Sequence, residues 1–326
     1  MQTLREIKLC IIAVLAAGSG FPAADSLAQD YPVKPIRMLV GFSAGGSTDV
    51  GARMVAQKMT EYLQQSVIVE NRTGAGGAIA NARAATSPPD GYTLLMLSAS
   101  ATILPALRKL SYDVERDLAP VSLVAAGPLV LVVHPSVPAR NVKELVALAR
   151  STPSTLTYGT NGAGSTAHLS GELFQSLGKV KLLHVPYKGV SEAVTATAGG
   201  NVDINFPTIP PAQALLAAGK IRALAVTSAK RASLMPSTPT ISESGLPGYE
   251  YGTWFGVVAP ARVPKDIIAQ LHTLVVEIVN SPEVRALFIK QGLEPKTNTP
   301  EEFAAHIRRE VAKNAKLIQA AGVTVE

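Results

Sequence analysis

Cysteine is nearly absent from this chain: its 326 residues include one, Cys10. A lone cysteine excludes an internal disulfide framework and a cysteine metal cluster. Histidine is sparse and dispersed. His134, His168, His184, His272 and His306 show no metal-ligand spacing, so no metal is expected. Aromatic residues make up only 5%, and they do not interleave with basic ones. No block of Lys or Arg occurs, so no nucleic-acid partner is expected. Beyond the N-terminus no apolar run approaches the ~20 residues that a membrane-spanning helix needs.

What is present is ordinary for a globular protein: 47% hydrophobic and 17% charged residues, enough for a sizeable core. The length suits about two domains. The net charge of +6 is scattered and suits an anionic ligand or an acidic surface. At the N-terminus Arg5 and Lys8 precede an apolar run over 9–17, and Ser26-Leu27-Ala28 places small residues where a signal peptidase reads. That layout predicts a secretory signal peptide over 1–28, cleaved after Ala28, and a periplasmic mature protein. An uncleaved anchor is the alternative. Cys10 falls inside the predicted signal and precedes most of its apolar run, so a lipoprotein cleavage site is not expected.

Short β-rich runs alternate with helical patterns along the mature chain. Residues 36–40 read as a strand, followed by a glycine-rich turn and a helix over 47–63. On one face of that helix Ala52, Val55, Ala56, Met59 and Leu63 recur at helical spacing. Strands are predicted over 67–70 and 93–97, with a short helix over 78–85 between them. A long extended stretch covers 120–134, broken at Gly127-Pro128. Asn141 and Glu144 then form a capping box. Four further strands are predicted over 156–159, 182–185, 202–206 and 221–226. Residues 236–253 read as loop and 255–259 as a strand. Ser281-Pro282 and Thr299-Pro300 start the closing helices, and Glu302 completes a capping box with Thr299. Alternating βα units predict parallel sheets covered by helices on both faces. The stretches around 120–134 and 250–258 are the candidate crossings between two lobes. Lobe 1 would comprise 29–126 and 254–326, with 127–253 inserted as lobe 2.

Two turns join a strand end to a helix start: Gly41-Phe42-Ser43-Ala44-Gly45-Gly46-Ser47-Thr48-Asp49 and Gly159-Thr160-Asn161-Gly162-Ala163-Gly164-Ser165-Thr166. Glycines let backbone approach a ligand, and a helix N-terminus adds free N–H donors with partial positive charge. Hydroxyl side chains supply further donors. Such turns bind carboxylate or phosphate without a cation. A single turn of this kind is equally explained as chain reversal with a helix cap. The pair points to function. Asp49, in the first turn of its helix, reads as a helix-stabilising group rather than an anion contact.

Nucleotide binding competes for the same turns. Gly41 and Gly46 have P-loop spacing, but Ser47 stands where the phosphate-binding lysine belongs. Gly162-Ala163-Gly164-Ser165-Thr166-Ala167 fits a dinucleotide fingerprint, yet no acidic residue follows at 183–186 to hold a ribose. No cofactor is expected. His168 and His184 flank the second turn and read as structural. Ser98-Ala99-Ser100-Ala101-Thr102 lines a pocket or forms a plain turn. Trp254 and Phe255 read as core or hinge packing, and Tyr187-Lys188-Gly189 is within reach of a cleft. No Gly-x-Ser-x-Gly elbow with a triad is present.

An ordered series of motifs resembles the Bug family of periplasmic solute receptors, which serve tripartite tricarboxylate transporters. It runs from Tyr31-Pro32-x-Lys34-Pro35-Ile36 through the 42–49 turn, Glu70-Asn71-Arg72-x-Gly74-Ala75-Gly76-Gly77 and Asp90-Gly91-Tyr92-Thr93-Leu94. It continues through the 158–169 turn, Val185-Pro186-Tyr187-Lys188-Gly189, and Pro239-Thr240-x-x-Glu243-Ser244-Gly245-x-Pro247-Gly248-Tyr249. It ends at Glu294-Pro295 and Thr299-Pro300-Glu301-Glu302-Phe303. The resemblance covers essentially the whole mature chain. It implies an α/β, two-lobed periplasmic binding protein of type II-like form, each lobe a mostly parallel sheet flanked by helices. It implies a monomer that is not an enzyme, binds a small carboxylate between the lobes and passes it to a membrane permease. Carried over by position, the contacts would be Phe42, Ser43, Gly45, Gly46, Ser47 and Thr48 in one lobe. Thr160, Asn161, Gly164, Ser165 and Thr166 would face them, with Ser98 and Asp203 as neighbours. The first turn reads Ala44-Gly45-Gly46 where the family has Pro-Gly-Gly. An exported hydrolase or transferase using the same cleft is the alternative function.

Overall fold

The computed structural model describes residues 31–290 and 292–321. The predicted signal peptide over 1–28, with Cys10, lies outside the described residues. The site discussed below falls within the unit that begins at Lys34. In chain order the strands are β1 (Ile36–Val40), β2 (Val67–Asn71), β3 (Thr93–Ser98), β4 (Leu118–Pro128), β5 (Val130–Val133), β6 (Thr157–Thr160), β7 (Leu183–Pro186), β8 (Ile204–Asn205), β9 (Arg222–Val226), β10 (Gly252–Pro260) and β11 (Glu294–Pro295). They form two sheets, ordered β11-β4-β10-β3-β1-β2 and β7-β6-β8-β5-β9. With helices flanking both sheets, the protein has a two-lobed α/β fold.

Both sheets are mixed, which corrects the expectation of mostly parallel ones. In the first, β1 pairs parallel with β2 and β3, while β10 runs antiparallel to β3 and β4. In the second, β6 pairs parallel with β7 and β8, while β5 runs antiparallel to β8 and β9. The reason is topological. The chain leaves the first sheet along β4, enters the second along β5, and returns along β10, so outward and return strands oppose each other. The strand predicted over 202–206 is cut at both ends to β8, and Pro207, which has no N–H to donate, follows it closely.

Local sequence explains the elements that carry the site. β1 and β3 are nearly continuous apolar runs, as strands covered on both faces require. The helix Ser47–Leu63 buries Ala52, Val55, Ala56 and Met59 on one face. It sits so close to β10 that a Cβ at Gly51 would overlap the Phe255 ring. Both capping boxes form. Glu144 N donates to Asn141 Oδ1 at 2.9 Å, and Glu302 N donates to Thr299 Oγ1 at 3.2 Å.

Each sheet has its own core. Leu39, Leu95, Leu97, Trp254 and Phe303 belong to the first, and Leu131, Tyr158, Phe174, Phe206 and Tyr249 to the second. The helix Pro300–Ala321 serves both: Phe303 and Ile307 pack in the first cluster and Ile318 in the second. Between them Asn314 is buried, donating to Thr102 Oγ1 and accepting from the Tyr251 hydroxyl, both at 2.9 Å. Among the described residues no helix is long and apolar enough to cross a membrane.

Candidate functional site

Three strand-to-helix turns and the two crossing strands converge on one cavity of about 30 Å³. The turn after β1 contributes Phe42, Ser43, Gly46, Ser47 and Thr48, and the turn after β6 contributes Asn161, Thr166 and Ala167. The turn after β8 contributes Phe206 and Thr208. Ser98 and Ser100 at the end of β3, Leu129 between β4 and β5, Thr253 on β10, and Val190 close the wall. This lining contains no Asp, Glu, Lys, Arg or His. Its polarity comes from hydroxyls, one side-chain amide and backbone. The Oγ of Ser43, the Oγ of Ser47 and the Oγ1 of Thr208 are buried with no hydrogen-bond partner. Buried orphan hydroxyls are uncommon and call for an explanation. The helices Ser47–Leu63, Thr166–Gly178 and Ile209–Ala217 all begin at this wall with a partial positive charge; the first two add free N–H groups, whereas Pro210 and Pro211 leave the third few to offer. Such a donor set suits an anion.

The first turn is held by Asp49, which is 2% exposed. Its carboxylate accepts from Gly45 N at 3.0 Å, Arg53 Nε at 2.9 Å and Asn71 Nδ2 at 2.8 Å. Burial would raise its pKa, but the bonds from Arg53, Asn71 and Gly45 outweigh that and hold the carboxyl below its ordinary value. Asp49 thus pins the turn, as its place in the helix suggested. Gly45 takes φ +82, a conformation that glycine adopts without strain.

The second turn rests on two imidazoles. Gly164 N donates to His168 Nδ1 at 3.1 Å, and Thr160 Oγ1 lies 2.7 Å from His184 Nε2. The rings of His168 and His184 stack at 4.2 Å. Burial, with the charges of His184 and Arg108 behind it, lowers the His168 pKa to about 3, and burial lowers that of His184 to about 4. Both are neutral at neutral pH. The structural reading of these histidines fits this arrangement.

The turns of the two sheets meet face to face. A Cβ at Gly189 would overlap Ser43 Oγ, and one at Gly76 would lie 2.8 Å from the Ala163 carbonyl oxygen.

With that geometry in place, comparison with known proteins is informative. Residues 51–323 match the tripartite tricarboxylate transporter family receptor, TctC. BugT of Bordetella pertussis is 36% identical over 321 residues, covering 98% of each chain. This chain belongs to the tripartite tricarboxylate transporter receptor family. Among solved structures, an R. palustris protein with adipate superposes with a TM-score of 0.88 at 37% identity, covering 90% of this chain and 99% of that one. The periplasmic binding protein BugD gives 0.87 at 33%, covering 91% and 100%. MatC of Rhodopseudomonas palustris with bound malate gives 0.83 at 30%, covering 88% and 100%. The Bug resemblance read from the motifs agrees with these relatives.

Of the residues that resemblance named, the receptor brings Phe42, Ser43, Gly46, Ser47, Thr48, Ser98, Asn161 and Thr166 to the cavity. Five others lie off its wall. Gly45 is turned to Asp49. Thr160 faces His184, and Gly164 faces His168. Ser165 is fully buried, its Oγ accepting from His168 N at 3.2 Å as a helix cap. Asp203 is engaged at the far end of β6, where its Oδ2 accepts from Thr157 N and Thr157 Oγ1, both at 2.8 Å. Gly45 in the first turn and Thr160, Gly164 and Ser165 in the second shape those turns from behind, and Asp203 secures the start of β6.

Ser100 lies in the 98–102 stretch that the sequence offered as pocket lining or plain turn; Leu129, Ala167, Val190, Phe206, Thr208 and Thr253 were not named from sequence. Thr208 had a readable signal, since Thr208-Ile209-Pro210-Pro211 is a cap followed by a proline start. It stands at the N-cap position without capping through its side chain, so its hydroxyl is available to the cavity. Leu129 and Thr253 reach the wall through strand crossings that no local motif announces. Beside the first cavity the receptor has a second, of about 510 Å³, which shares Phe42 and Asn161 with it.

Proposed function

We propose that this receptor is a periplasmic protein that binds a small carboxylate in the cleft between its lobes and delivers it to the membrane permease of a tripartite tricarboxylate transporter. One observation carries the reading: three orphaned buried hydroxyls and three helix N-termini converge on a cavity free of acidic side chains. A carboxylate placed there receives the donors that the folded chain leaves unused. Each hydrogen bond to its charge contributes about 1.5–3 kcal/mol. Adipate and malate in the related structures are of the same chemical class.

In this proposal the signal peptide over 1–28 is removed, and the mature chain acts as a monomer without cofactor. Its lobes are 29–126 with 254–326, and 127–253. The contact sites are the residues named from sequence that line the cavity, joined by Thr208. Hydrolysis or transfer in the same cleft is disfavoured, because no lining residue is a base able to activate Ser43 or Ser47.

Thermal-shift screening of a carboxylate library tests the reading. A ligand at a hundred times its Kd stabilises by about 2.7 kcal/mol. A stabilising acid recovered unchanged after long incubation supports a receptor. No shift with any acid, or chemical conversion of the one that binds, overturns it.

A further inference from the structure

We propose that Arg108 is a specificity-determining residue of the cleft, receiving a second acidic group on the ligand, so that the preferred solute is a dicarboxylate. The proposal rests on the carboxylate-receptor reading above. The cavity with the orphaned hydroxyls encloses only about 30 Å³, room for one small head group. The rest of a multi-carbon acid needs other space. The adjoining cavity of about 510 Å³ supplies it, with Phe42 and Asn161 common to both walls.

Arg108 stands on the wall of that second cavity. Its Nε is buried and has no hydrogen-bond partner. Among the described residues no carboxylate pairs with it. Arg108 follows the short helix Leu104–Leu107, whose two leucines lie against Gly164 in the second glycine-rich turn. The guanidinium is therefore mounted on the ligand-facing frame rather than on a free loop. Two other charged residues line this cavity. Lys188 is exposed, and the Glu192 carboxylate accepts from Lys188 N at 3.1 Å. Glu192 repels an anion on its own side, which leaves Arg108 as the receiving group. A guanidinium presents two parallel N–H donors that match a carboxylate. A partly buried, unpaired guanidinium beside an uncharged pocket, with the exposed Lys188 as the other cation of this wall, thus distinguishes two-headed acids from one-headed acids of equal length.

Isothermal titration of paired probes tests this: glutarate against pentanoate, adipate against hexanoate, and suberate against octanoate. For the wild-type chain at least one diacid is expected to bind about 10- to 100-fold tighter than its monoacid partner. Arg108→Gln is expected to abolish that preference and leave monoacid affinity within about twofold. Lys188→Gln is expected to keep it. The monomethyl ester of the preferred diacid, titrated into the unmodified protein, is expected to bind as weakly as the monoacid, which needs no variant. Equal affinity of diacid, ester and monoacid in the wild type overturns the proposal and leaves the receptor reading intact. So does an Arg108→Gln protein that retains the preference or loses both affinities equally. Failure of every acid to bind overturns both.

Discussion

The imidazole rings of His168 and His184 stack with their centroids 4.2 Å apart, and each ring holds part of the second glycine-rich turn. Their folded pKa values, about 3 and about 4, lie below the free value of 6.5. As pH falls, the unfolded chain takes up these protons first. The stability tied to the pair is therefore complete above pH 6.5 and is lost progressively toward the folded values. At pH 5.5 the loss is on the order of 1 kcal/mol for His168. Glu172, 3.6 Å from His168, has a carboxyl raised by burial and opposes this trend just above its free value of 4.5. His168→Asn, which retains an acceptor for Gly164 N, is expected to flatten the fall in stability between pH 7 and 5.5. Urea midpoints across that range measure it. An unchanged slope in the variant assigns the titration to other groups.

The unpartnered hydroxyls of Ser47 and Thr208 separate binding from stability. Removing an orphan hydroxyl leaves no folded-state bond broken. Ser47→Ala and Thr208→Val are each expected to weaken carboxylate binding by about tenfold. The melting temperature of the free protein should stay level or rise. Calorimetric titration and scanning read the two quantities. Lower melting with full affinity would return these hydroxyls to a purely structural role.

Gly189 has no room for a side chain against Ser43. Gly189→Ala is expected to keep the two turns from closing fully, to reduce affinity about tenfold or more, and to cost the free protein about 1–3 kcal/mol where the added methyl meets Ser43. Small-angle scattering with saturating acid checks the cause. The wild type should contract on binding and the variant should contract less. Equal contraction with equal affinity would show that this contact has no part in closure.

Asp49 is a buried carboxylate with three donors. Asp49→Ala leaves those donors without their acceptor and is expected to cost about 2–4 kcal/mol in denaturant unfolding. Because its folded pKa is lowered from 3.8, its contribution is present above that value and is lost as pH falls through the folded one. The variant's acid-unfolding curve should therefore be shallower below pH 4. A loss under 0.5 kcal/mol would mean that the turn is held by other contacts.

Local signals made much of this protein legible. The helix Ser47–Leu63 declares itself through apolar spacing, and both capping boxes form where Asn141 and Thr299 stand. The two glycine-rich turns lie at strand ends, as their composition suggested, and face each other, as the family resemblance implied. What the sequence hid was direction. Thr160, Gly164 and Ser165 share a turn with Asn161 and Thr166, yet they face two histidines that arrive from later elements. Leu129 and Thr253 reach the cavity because β4, β5 and β10 cross between sheets, and strand crossing is a long-range property. The mixed sheets have the same origin. A βα alternation indicates layers, but not the direction of a strand on its return.

The last helix gives the proposed closure a mechanical boundary. Phe303 and Ile307 root it in one core, Ile318 in the other, and the Asn314 amide binds Thr102 and Tyr251 midway. Two jaws joined by such a brace cannot swing apart without bending it or dragging a buried amide from its sockets. How wide the mouth gapes at rest is then set by an elastic stop remote from the solute. Evolution could retune uptake there while leaving every ligand contact untouched.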